Sequence, residues 1–185
     1  EQYDFVKSKI EENHLQGKLN VIFKDYREHQ GEYSRIYSIE MFEAVGMQYW
    51  QIYFDKIKDL LKPSGIFSMQ TIVIFEGLFE KYSQKIDFIQ KYIFPGGMLP
   101  TVKTLENIAI EKKLDFFVKN QMADSYHQTL EMWRQNFNHK WEKIKHLGYS
   151  NEFKRMWNFY LSYCSGGFKA KTIDVFQIDF TKNSN

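Results

Sequence analysis

IYFDKIKDLLKPSGIFSMQTIVI, residues 52–74, carries two different periods in succession. Residues 49–61 read as an amphipathic helix, with Ile52, Tyr53, Ile57, Leu60 and Leu61 on one side. Lys62-Pro63-Ser64-Gly65 stops it, because proline cannot continue a helix and glycine accepts a sharp turn. Residues 66–74 then read as a strand. Outward from this unit the same alternation continues. Upstream lie a strand at 34–39, a short strand at 20–24 ending at Asp25, and a helix over 1–15 with Tyr3, Val6 and Ile10 at helical spacing. Downstream lie a helix at 101–112, a strand at 114–119, and helices at 126–147 and 150–164. Residues 175–181 (VFQIDFT) alternate like an antiparallel edge strand. Strand–helix alternation with compact apolar strands predicts an α/β, doubly wound, Rossmann-like sheet with flanking helices, in a single domain over 1–185. Ligands of such sheets bind beyond the carboxyl ends of strands, which puts Asp25 and Glu40–Glu43 on the ligand edge.

Composition narrows the functional classes. The chain has 185 residues, a net charge of +2 and a mean hydropathy of −0.52. Its lysines are scattered rather than striped, so nucleic acid is not indicated. No apolar run approaches the roughly 20 residues of a membrane span, and the N-terminus does not resemble a signal peptide. The expectation is therefore a cytoplasmic protein, with at most a weak basic attraction to anionic head groups. One cysteine, Cys164, leaves no internal disulfide framework. The histidines show no metal-binding spacing, so no metal is expected. Aromatic content is high at 18%, with 17 Phe and 12 Tyr. Such rings build either large cores or a greasy, cation-holding pocket.

The residues leave several sites open. Glu40 and Glu43 flank a strand–helix junction, where acids are favoured in a first helical turn or where one carboxylate turns into a pocket. Asp25-Tyr26-Arg27 is either an Asx-type turn or a carboxylate and ring suited to adenine. Gln70 lies inside an apolar strand, which costs stability unless its amide is bonded. DFIQKYIFPGGMLP, residues 87–100, crowds aromatics against a tight turn. It is a structural cover or the wall of a hydrophobic substrate pocket, with Phe94, Gly97 and Met98 as the candidates for that wall. No G-x-G-x-x-G turn is present, so the domain is expected to lack its N-terminal strand and glycine-rich loop.

SIEMFEAVG, LLKPSGIFSMQTI, DFIQKYIFPGGMLP, SYHQTLEMWRQNF and FKRMWNFYLSYCSGGFKAKTIDVFQIDF, in that order, resemble the C-terminal catalytic part of cyclopropane-fatty-acyl-phospholipid synthases. These are S-adenosylmethionine-dependent methyltransferases acting on membrane lipids. The resemblance runs from Glu1 to about residue 182 and implies a Rossmann-like class I methyltransferase sheet. It places Gln2, Asp25, Tyr26 and Arg27 by the cofactor. It also makes Glu43, Tyr126 and the Ile72 backbone holders of a bicarbonate ion. Gln70 stands where some members have a histidine that also touches the ion, and others have glutamine.

The implied reaction adds a methylene to a cis double bond of a phospholipid acyl chain at the membrane surface, with bicarbonate as the base that lets the ring close. The alternatives are a relative that methylates without ring closure or uses another acceptor, and a catalytically inactive fragment. Without its first strands the sheet would expose an edge, so the isolated chain is expected to be unstable or to assemble with a second copy.

Overall fold

The computed structural model describes residues 1–182, which form two compact units, residues 1–31 and residues 32 onward. The first unit holds helix α1 (Gln2–Glu12) and a 3-10 turn, Tyr26–Glu28. Tyr3 meets Phe23 edge-on at 6.5 Å. Residues 20–24, expected as a strand, form none, and Phe23 is 91% exposed. A strand exists only where a neighbour takes its backbone bonds, and no described strand pairs with this segment. Asp25 therefore follows an irregular segment rather than a strand end.

The second unit runs β1 (Tyr33–Ile39), 3-10 turns Phe42–Ala44 and Met47–Tyr49, α2 (Trp50–Leu60), β2 (Leu61–Ile74), α3 (Glu76–Ser83), α4 (Phe88–Tyr92), α5 (Val102–Lys112), β3 (Leu114–Gln121), α6 (Ala123–His139), α7 (Trp141–Lys145), α8 (Asn151–Lys169) and β4 (Ile173–Lys182). The sheet order is β1-β2-β4-β3. β1 and β2 are parallel, joined by α2, whereas β4 runs antiparallel to both of its neighbours.

α2 buries Trp50, Tyr53, Phe54, Ile57 and Leu60, a stripe at helical spacing. Ile52, assigned to that side from sequence, is instead 49% exposed. The stripe meets one face of the sheet through rings: Phe54 lies 6.1 Å from Phe67 and 5.1 Å from Phe180, both edge-on. Each fully buried ring contributes about 1.5–3 kcal/mol. The helix stop is a bulge in the β1–β2 pairing, since the register jumps from Tyr33–Leu61 to Arg35–Ile66. Gly65 is required there, because a Cβ would sit 2.8 Å from the Lys62 carbonyl.

The opposite face is covered by α6 and α8. Leu130, Leu161, Phe168 and Val175 form its core, with Ile72 and Tyr126 packed against them. β4 is antiparallel as expected but interior, lying between β2 and β3. Its alternation reflects two differently covered faces. Phe176, Ile178 and Phe180 are buried, while Gln177 and Asp179 belong to a row of polar side chains on the other face. The helical region expected over 126–147 begins earlier, at Ala123, and breaks at Lys140 into α6 and α7.

Candidate active site

Glu43 is positioned by its neighbour. Phe42 is fully buried and packs on Trp50 at 5.3 Å, Tyr53 at 5.2 Å and Phe54 at 5.7 Å. With that ring anchored, the adjacent Glu43 side chain reaches the end of β2. Its Oε1 accepts from Ile72 N–H at 2.6 Å and from Thr71 Oγ1 at 2.8 Å. Its Oε2 is buried and has no hydrogen-bond partner. Burial raises the Glu43 pKa, against the lowering effect of its hydrogen bonds. Burial thus disfavours the ionised form of a carboxyl that leaves one oxygen, Oε2, without a partner.

Glu40 stands one turn back, with φ 52° in the left-handed region that side chains rarely adopt. Its N–H donates to the Gln70 carbonyl at 3.0 Å. Its Oε1 accepts from Gln70 Nε2 at 2.9 Å and from the Tyr126 hydroxyl at 3.1 Å. Gln70 Nε2 also lies 3.0 Å from Tyr126 Oη. The Tyr126 pKa is pushed up to about 12, by burial first and then by the Glu40 charge.

Glu40, Glu43 and Ile72 line a cavity of about 730 Å³. Phe94, Gly97 and Met98 line it too, as do Tyr82, Tyr160, Cys164 and Phe168. The turn is tied to the carboxylate segment: Met98 N–H donates to the Glu43 carbonyl at 2.9 Å. Gly97 leaves room for that approach, since a Cβ would lie 3.1 Å from the Phe94 carbonyl, closer than most Cβ contacts. The walls carry three carboxylates, Glu40, Glu43 and Asp87, and no lysine, arginine or histidine.

Four sequence candidates thus come together: Glu43 with Ile72, and Gln70 with Tyr126. Glu40, read from sequence as a junction residue, joins them. Gln177 was not singled out at all, yet its Nε2 donates to Gln70 Oε1 at 2.9 Å. Only the register of β2 against β4, which places Gln70 opposite Gln177, reveals it. The remaining candidates lie in the first unit. Asp25 Oδ1 accepts from the Arg27 N–H at 2.9 Å, making the Asx-type turn, and Oδ2 accepts from Arg27 Nη2 at 2.7 Å. Arg27 holds the Asp25 pKa down to about 2. Tyr26 opens the 3-10 turn, and Gln2 opens α1.

A parallel pair joined by a helix, an antiparallel β4 inserted beside it, and a cavity at the carboxyl ends of β1 and β2 together define the site end of this α/β sheet. Among solved structures, mycolic acid cyclopropane synthase CmaA1 with SAH and CTAB superposes with a TM-score of 0.79 at 23% identity, covering 92% of this chain and 65% of that one. A putative sarcosine dimethylglycine methyltransferase from Galdieria sulphuraria gives 0.77 at 15% identity, covering 100% and 66%. The family described as mycolic acid cyclopropane synthetase matches residues 1–178. The chain belongs to that family.

It is 35% identical over 167 residues to cyclopropane-fatty-acyl-phospholipid synthase of Escherichia coli, covering 89% of this chain and 41% of that protein. It is 34% identical over 163 residues to tuberculostearic acid methyltransferase UfaA1 of Mycobacterium tuberculosis, covering 86% and 38%. The chain therefore spans about two fifths of the length of these relatives.

Proposed function

We propose that this chain is the acceptor-side part of an enzyme that converts the cis double bond of a phospholipid acyl chain into a cyclopropane ring. The observation that carries the reading is a buried, unpartnered carboxyl oxygen, Oε2 of Glu43, on a residue that lines a largely apolar cavity. Ring closure needs one proton removed from an acyl chain that bears positive charge, and a carboxyl desolvated in this way suits holding the base that takes it.

S-adenosylmethionine, when bound, supplies the electrophilic methyl. Gln2, Asp25, Tyr26 and Arg27 would hold it. The chemistry of Asp25 fits: Arg27 N–H and Nε occupy its Oδ1, and Oδ2, which accepts from Arg27 Nη2, keeps a lone pair to accept from an adenine amino group or a ribose. Bicarbonate would supply the base at Glu43. The orphaned Oε2 fits that anion as a donor in its protonated form. The Ile72 N–H already binds Glu43 Oε1, so its part in the site is to hold that carboxyl.

The other residues follow from the charge that develops. Phe94, Tyr160 and Phe168 present rings to a cationic acyl chain without offering a nucleophile that would capture it. The largely apolar walls keep water from the same cation. Phe94, Gly97 and Met98 shape the path of the chain. No lysine, arginine or histidine lines the cavity, so the phosphate stays outside with the head group while the acyl chain enters. No helix among the described residues is long and apolar enough to cross a membrane. Access to the lipid is proposed from the bilayer surface, by a cytoplasmic protein.

A second reading has comparable support, because the methyltransferase UfaA1 is as similar to this chain as the cyclopropane synthase. In it the acyl chain gains a methyl branch instead of a ring. The test is methyl-labelled S-adenosylmethionine given to the full-length protein with unsaturated phospholipid vesicles. Label in the acyl chains of the vesicles is expected; label confined to other acceptors, or none, overturns both readings.

A further inference from the structure

Gln70, Gln177 and Asn120 stand abreast on three adjacent strands, β2, β4 and β3, with Gln70 paired to Gln177 and Gln177 paired to Asn120 in the register. Their side-chain amides are linked head to tail. Asn120 Nδ2 donates to Gln177 Oε1 at 2.7 Å, and Gln177 Nε2 donates to Gln70 Oε1 at 2.9 Å. Gln70 Nε2 ends the row on Glu40 Oε1 and Tyr126 Oη.

The direction of this row is set at one end. Reversing it would turn Gln70 Oε1 against the Glu40 carboxylate, oxygen to oxygen, with no proton between them. Keeping it lets every amide both give and accept, and a chain of aligned amides is strengthened along its length. The charge of Glu40, itself on the cavity wall, thus makes Gln70 a donor towards Glu40 and Tyr126. The same oxygen takes the Tyr126 hydroxyl proton, so the phenol has one proton and one lone pair already assigned. Glu40 holds this place in a left-handed backbone conformation, a cost that surrounding structure must sustain.

We infer that Glu40 is a positioning residue for the proton-transfer half of the reaction, fixing the Tyr126 hydroxyl and the Gln70 amide in one orientation that Gln177 and Asn120 extend across the sheet. This rests on the cyclopropane or methyl-branching reading of the same site, although the geometry itself does not.

Glu40 also raises the Tyr126 pKa, through its charge and its hydrogen bond. The other titratable groups around Tyr126 are Glu43 beside Glu40, Tyr160 and Cys164 of α8 in the same cluster, Asp174 of β4, which caps Met122, and His127 on α6 itself. Removing the charge of Glu40 leaves these in place. The Tyr126 titration therefore moves down towards the ordinary phenol value, and the alkaline limb of any Tyr126-dependent activity moves down with it.

The test uses the full-length protein with Glu40→Gln, Glu40→Asp and Gln177→Glu, read in two ways. The first is the Tyr126 ring-carbon NMR titration, assigned by comparison with Tyr126→Phe. Glu40→Gln should bring the titration into the accessible alkaline range and Glu40→Asp should push it back up. A Tyr126 that ignores Glu40→Gln overturns the inference. The second is turnover on unsaturated phospholipid vesicles. Loss of an outer partner of site groups should cost about ten- to a hundredfold in kcat, with KM for S-adenosylmethionine unchanged. Gln177→Glu, which cannot donate to Gln70 and sets a carboxylate oxygen against Gln70 Oε1, should lower kcat in the same direction. A change confined to KM, or none in either variant, overturns the inference. The first readout needs no turnover. A wild type that modifies no lipid, while Tyr126 still responds to Glu40, sinks the lipid reading alone.

Discussion

Glu43 Oε1 takes the Ile72 N–H at 2.6 Å while Oε2 of the same carboxyl is buried and unbonded. One oxygen thus anchors the group to the end of β2, and the other is left for chemistry. This division makes Glu43 both the leading candidate for the reaction and a burden on the fold.

Glu43→Gln keeps the shape, and the amide oxygen can still accept from Ile72 and Thr71. Turnover should fall by at least about a hundredfold, the lower range for loss of proton transfer. Stability should move the other way. The pKa of Glu43 is raised above its ordinary 4.5, so the stability it contributes when protonated is present in acid and is lost as pH rises through the raised value. Thermal unfolding of the variant should therefore exceed wild type near neutral pH, with the gap closing as pH falls through the carboxylate range. A gap that widens in acid would contradict this sign.

Gly97→Ala puts a methyl 3.1 Å from the Phe94 carbonyl in the turn that also holds the Glu43 backbone. The overpacking should cost about 1–3 kcal/mol by denaturant unfolding. Turnover should fall as well, although the new methyl reacts with nothing.

Phe54→Ala removes a fully buried ring that touches Phe42, Phe67 and Phe180. It should cost about 3–5 kcal/mol. Ile52→Ala, two residues away on the exposed side of α2, should stay within about 0.5 kcal/mol. Equal losses would place the helix in the wrong rotation.

Cys164 lines the cavity, and burial pushes its thiol up to about 12. Thiolate is the reactive form, so a disulfide reagent near neutral pH should label the native protein far more slowly than the unfolded one. Equal rates would mean the thiol is not buried as described.

Sequence periodicity located β1, α2 and residues 66–74 of β2, but residues 61–65, read as the end of the helix and its stop, are the first part of β2, paired to β1 across a bulge. It misjudged residues 20–24, where an apolar run has no pairing strand among the described residues. It placed β4 at an edge because Gln177 and Asp179 alternate with buried residues, whereas the polar side belongs to a bonded row inside the sheet. In the site, Glu40, Glu43 and Gln70 stood out from their places at strand ends or inside a strand, but their roles, and those of Ile72 and Tyr126, were proposed from family resemblance. The bonds of Glu40 and Gln177 were not legible, because they depend on a left-handed backbone turn and on strand register, which a one-dimensional pattern does not carry.

The most direct test is the proton NMR spectrum of phospholipid recovered from vesicles treated with S-adenosylmethionine and the full-length protein, wild type or Glu43→Gln. The account predicts upfield cyclopropyl signals with wild type and their loss with the variant. Ring formation that persists undiminished in Glu43→Gln, or acyl chains unchanged by wild type, would contradict it.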